Sequence, residues 1–180
     1  MSFLPENYEA PQTGGGSYFK PADGPNRIRV AGGAIVGWVA WDRSGDRPAP
    51  KRGRVLGEVK KFASDEEKPR FFWAFPIIDR NDGNRAKIWE VTQVTIQSQI
   101  EALVRNSDWG NPKEYDLTIT KSGAGKDTTY TITPSPKTPI DITSAEQAKV
   151  DGMYLDALYE GGDPFTSPEP VGQGNLEDTF

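Results

Sequence analysis

None of the 180 residues is histidine and none is cysteine. The commonest general base, the usual nucleophilic dyads, thiolate metal sites and disulfides are thereby excluded. Any bond-making chemistry would rest on carboxylates, lysine or tyrosine. One close carboxylate pair, Asp79 and Asp82 in "IIDRNDGN", has a spacing that suits Mg²⁺ and phosphoryl chemistry. Aspartate and asparagine are also what a tight turn uses, and no third carboxylate has a claim to join them. The stretch "SGAGKDTT" has the lysine of a phosphate loop but not its frame. Thr120 stands where a glycine is required, and Asp127 where Ser or Thr would follow the lysine. It reads as a hairpin loop from which Lys121 and Lys126 can reach a phosphate.

What remains is an interleaving of rings and cations. Trp38, Trp41, Phe72, Trp73 and Trp89 fall among Arg27, Arg29, Arg43, Lys51, Arg52, Arg54, Lys60, Lys61, Arg70, Arg85 and Lys87. Single-strand nucleic-acid binding needs a positive groove for phosphates and flat rings on which bases stack. The competing reading is a core of aromatics with an ordinary solvated basic face. In "RFFWAF" Phe71, Trp73 and Phe75 alternate onto one face and Phe72 onto the other. A small barrel cannot bury both faces, so one aromatic set is expected to be exposed.

The elements that must position these residues are mostly strands. "NRIRV", "AIVGWVAW", "RFFWAFPII" and "RAKIWEV" have strand character, with Asp-Gly marking a hairpin between the last two. Residues 42–69 read as loop with a short strand in "RVLGEVKKF". "TQVTIQSQIEALVRN" changes period: Ile96, Ile100, Leu103 and Val104 form one helical stripe, with Thr92 or Thr95 as N-cap. "YDLTITK" and "TYTIT" then make a second hairpin. Thr143 to Glu146 fits a capping box, opening a helix to about Glu160 that Gly161–Gly162 stops. The expectation is a mainly β protein: a five-stranded OB-fold barrel with a helix between strands 3 and 4. Its plan is a flexible arm over 1–26, the barrel over 27–140, a C-terminal helix over 141–162 and a disordered acidic tail over 163–180.

Charge divides along the chain. Residues 1–140 carry 20 Lys/Arg against 17 Asp/Glu, or +3, whereas 141–180 carry one against nine, or −8. The net −5 hides a basic body with an acidic tail. The longest uncharged run, Val30 to Trp41, falls well short of the roughly 20 residues that span a bilayer, and no targeting signal is visible. A cytosolic protein without a membrane partner is expected.

The segments "SYFKPADGPNRIRV", "FFWAF", "KIWEVTQVTIQSQIEAL", "DWGNPKEYDLTITKSGAGKDTTYTITPSP" and "NLEDTF" together resemble the small single-stranded DNA-binding proteins of tailed bacteriophages, T7-type in plan. That resemblance implies one OB-fold followed by an acidic tail ending in Phe. It further implies sequence-tolerant coating of exposed strands during replication, recombination or repair in the cytoplasm of an infected host. No enzymatic activity, metal or cofactor goes with it. Asp163, Glu169, Glu177, Asp178 and Phe180 would then form a tail that competes for the basic groove and meets phage replication proteins. A homodimer is compatible with this plan. Two departures stand out: the Cys/His zinc site of T4-type relatives is impossible here, and Thr179 replaces the proline that precedes the last Phe in bacterial counterparts. The alternative from another class is a structural or assembly-related phage β-barrel that binds protein.

Overall fold

The computed structural model describes residues 18–166. These fall into two compact units: one over 18–36 and 72–150, the other over 37–71 and 151–166. Seven strands are present: β1 (Gly24–Val30), β2 (Ile35–Asp42), β3 (Ala49–Gly53), β4 (Arg70–Asp79), β5 (Arg85–Val91), β6 (Asp116–Ser122) and β7 (Thr129–Pro134). Short helices are α1 (Leu56–Val59), α2 (Val94–Arg105) and α3 (Ser144–Asp151).

In the first unit the strand order is β5-β4-β1-β6-β7, every neighbour antiparallel. Along the described residues five strands precede α2 and two follow it, where three and two were expected; three of the five belong to this unit. Closure into a five-stranded barrel does not follow; the sheet is open. Backbone groups on its two outer strands find other partners. The Phe19 N–H donates to the Ile88 carbonyl of β5 at 2.8 Å. On β7 the Gln99 side chain of α2 acts as a substitute strand. Its amide donates to the Tyr130 carbonyl at 3.0 Å and its oxygen accepts from the Ile132 N–H at 2.8 Å. Edges covered in this way do not need to pair with each other.

Alternation decides which side chains make the core. Ile28 and Val30, Phe75 and Ile77, Trp89 and Val91, and Tyr115, Leu117 and Ile119 all point to the face on which Ile96 and Ile100 of α2 pack. Trp89 is the hub, with Phe19 edge-on at 5.3 Å and Phe75 at 5.6 Å between ring centres. β4 is buried on both sides from Ala74 to Asp79, so the one-faced burial expected of "RFFWAF" does not occur. The N-cap of α2 is Gln93 rather than either threonine.

The second unit contains the β2–β3 ladder from Trp38 opposite Gly53 to Asp42 opposite Ala49. β3, "APKRG", lay in the expected loop because it has no apolar alternation and contains Pro50. An edge strand tolerates a residue without an N–H. The short strand expected in "RVLGEVKKF" is instead α1 followed by a 3₁₀ turn, Lys60–Phe62. Glu58 fixes that turn by accepting the Arg54 N–H at 2.6 Å.

The expected continuous C-terminal helix is broken. α3 starts as read, with the Thr143 hydroxyl accepting the Glu146 N–H at 3.2 Å. It ends at Asp151, next to Gly152, and a 3₁₀ segment over Leu155–Glu160 follows. That segment ends at Gly161, whose φ of 71° is the left-handed geometry glycine adopts without strain.

Candidate nucleic-acid interface

The second unit sets rings and cations on both faces of a short ladder. Its stretch 37–71 carries nine Lys/Arg against six Asp/Glu. Within β2, Trp38 is half-buried and its ring meets Phe71 at 5.4 Å, at an interplanar angle of 63°. Register puts Lys51 opposite Ala40, hence on the Trp38 side of the pleat. Near it lies the Phe62 ring, with Lys51 Nζ 6.0 Å and Lys61 Nζ 5.1 Å from its centre. Cations at this range are held by the ring's electron-rich face and remain available to an anion. Asp42 is held below the usual carboxylate range, first by the Ser44 hydroxyl and also by Lys51 and Lys61.

Phe71 is 36% exposed and Trp41 41%, large values for such rings. Register places Trp41 opposite Pro50, with Arg52 on the same side of the pleat. Lys60 and Arg70 are exposed. Arg43 is engaged by Glu67, its Nε donating at 2.8 Å. Arg54 is engaged too: its guanidinium lies 4.2 Å from the Tyr159 ring centre and 3.7 Å from Asp156. Phe62 was absent from the sequence reading of the site, and Phe71 entered it only through the alternation of "RFFWAF". Their signal was adjacency to basic residues, in "KKF" and "RFF".

The first unit treats its predicted site residues differently. Phe72 and Trp89 are buried at 0% and 2% exposure, leaving no ring face on which a base could stack. Trp73 is partly buried and, with Phe75, Ile100 and Val104, lines an apolar cavity of about 250 Å³. Arg27 and Arg29 both donate to Asp116 at 2.7 Å, Arg27 half-exposed and Arg29 buried. Lys87 bridges Asp79 and Asp82 at 2.8 Å each. Burial opposes its charge, yet the two carboxylates outweigh burial and raise its pKa. Asp82 is lowered by the same contact. The Asp79–Asp82 pair is thus bridged by an ammonium, and no cluster of three metal-binding side chains exists among the described residues.

Arg85 lies 3.8 Å from Asp82, Lys121 pairs with Asp23 at 3.5 Å, and Lys126 is exposed in its loop. That loop turns at Gly123, where a Cβ would strike the Asp127 carbonyl. Asp163 accepts from the Phe165 N–H and the Thr166 hydroxyl, both at 2.9 Å. Glu169, Glu177, Asp178 and Phe180 lie outside the described residues. Among those that are described, no helix is long and apolar enough to cross a membrane.

The chain is similar to a protein of Escherichia phage T5 described as "Probable ssDNA-binding protein", with 27% identity over 150 residues. The match covers 67% of this chain and spans 58% of the length of that protein. No protein-family model matches the chain, and no solved structure matches it.

Proposed function

We propose that this protein binds single-stranded DNA without sequence preference and performs no catalysis. The carrying observation is the pairing of Trp38 with Phe71 and of Phe62 with Lys51 and Lys61, which joins aromatic faces to cations. Bases stack on the rings, each stack contributing roughly 1–3 kcal/mol whatever the base. Lys51, Lys60 and Lys61 receive the phosphates, assisted by Arg70. The similarity to the phage T5 protein supports the same reading, as a phage protein that coats exposed strands in the cytoplasm of an infected host.

Two finer features belong to this proposal. The acidic tail competes with DNA for the basic groove, and Phe180 engages a replication protein. The charge of −8 over residues 141–180, four of its carboxylates in the tail itself, against +3 for residues 1–140 motivates the first part. Deleting residues 163–180 is expected to tighten binding of fluorescein-labelled oligo(dT), measured by anisotropy at low salt, and to change its salt slope. Unchanged affinity would contradict tail competition. Phe180→Ala is expected to leave oligo(dT) affinity intact and to reduce retention of the partner polymerase or helicase on an affinity column.

A further inference from the structure

Arg29 is buried, and the structure does not use all of its donors. Nε donates to Asp116 Oδ1 at 2.7 Å and Nη1 to the Lys113 carbonyl at 3.2 Å. Nη2 is buried and meets no hydrogen-bond partner among the described residues. Asp116, at 0% exposure, also takes Arg27 Nε at 2.7 Å and lies 3.4 Å from Arg80 Nε. Three guanidiniums therefore share one carboxylate. Unsatisfied buried donors of this kind ask for an explanation.

Arg29 also lines a cavity of about 520 Å³, together with Lys113, Glu114, Lys137 and the turn at 138–140. Glu114 is already paired with Lys137 at 3.0 Å. Across the lining, three cations face one carboxylate. The walls are held by backbone bonds: the Ser135 N–H donates to the Asp116 carbonyl and the Thr138 N–H to that of Glu114. Lys113 and Lys137 are exposed at the rim on flexible arms.

From these features we infer that the cavity is an oxyanion site that takes a phosphate group. Arg29 Nη2 is its fixed donor, and the Lys113 and Lys137 ammoniums close over the remaining oxygens. Guanidinium and ammonium donors make short, charge-assisted bonds to phosphate oxygens. Nη2 is sealed from water, so the lining must give where the anion enters; the two lysine arms are the parts that can. The volume leaves room for a nucleoside attached to the phosphate. This site belongs to the first unit and shares no residue with the Trp38–Phe71 cluster, so it stands or falls independently of strand binding.

The test titrates the full chain with inorganic phosphate at constant ionic strength, chloride serving as control, and follows the thermal midpoint. A saturable rise specific to phosphate is expected, with apparent affinity weakened about tenfold or more in a Lys113→Ala/Lys137→Ala double variant. Arg29→Lys is a secondary variant, since loss of the Asp116 pair can unfold it; the rim variant carries the test. Competition with oligo(dT) bearing a 5′-phosphate or a 5′-hydroxyl identifies the source. Displacement by the phosphorylated strand alone assigns a strand end, equal displacement assigns the backbone, and displacement by neither assigns free phosphate; each supports the site. Absence of a saturable phosphate effect, or an equal effect in the rim variant, overturns it.

Discussion

Single side chains in this protein divide by whether their charge or ring is already committed. Lys87, Arg43 and Arg27 each hold a carboxylate, whereas Lys51 and Lys61 lie against the Phe62 ring and share the field of Asp42. The proposal therefore predicts different signatures for two substitutions. Lys61→Ala should weaken oligo(dT) binding evenly across base compositions and reduce the log–log salt slope by about 0.7. Phe71→Ala should leave that slope unchanged while costing about 1–3 kcal/mol, roughly 5- to 150-fold in affinity. Equal salt slopes in both variants, with equal losses, would argue against separate stacking and phosphate roles. At this scale the sequence named rings and cations as candidates but could not sort them. Trp89 and Trp38 both sit on strands beside basic residues in the sequence. Only tertiary packing separates the ring at the hub of a core from the ring beside an exposed phenylalanine.

Elements were more legible where their period was strong. The alternation in "NRIRV" and "YDLTITK" and the stripe Ile96–Ile100–Leu103 correspond to β1, β6 and α2. β3 had no period to read, and α1 is a single turn fixed by one glutamate. The open sheet was invisible for a related reason: the groups that cover its edges are side chains far away in sequence. Gln99 is the clearest of these. Gln99→Ala should strand the Tyr130 carbonyl and the Ile132 N–H, costing about 1–3 kcal/mol in urea denaturation; a neutral effect would show that water replaces it without loss. α3 is tied to β5 by Glu146, which accepts the Ala86 N–H at 2.7 Å and pairs with Lys149. Burial works to raise the Glu146 pKa, but these donors outweigh it and the net shift is downward. Its folded value being the lower one, the stabilisation is present above the unfolded value of about 4.3 and is lost as pH falls through the folded value. Exchange protection of the Ala86 amide should fall over that acid window. Glu146→Gln, which keeps an acceptor oxygen, should flatten the fall, and a profile identical to that of the unsubstituted protein would contradict the assignment.

For the whole molecule, the distribution of charge carries more than its sum. A net −5 argues against a polyanionic partner, yet the basic residues of 37–71 stand beside exposed aromatics on a two-stranded ladder. The phage T5 protein to which this chain is similar is itself described as a probable ssDNA-binding protein. The most direct test of strand binding is titration of the full chain with poly(dT) at low salt, followed by intrinsic tryptophan fluorescence and repeated as salt is raised. The account predicts a saturable change in fluorescence, since Trp38 lies in the proposed binding cluster, and an affinity that falls with salt at about 0.7 log units per log unit for each phosphate contact. A flat fluorescence trace with no binding at low salt would contradict it.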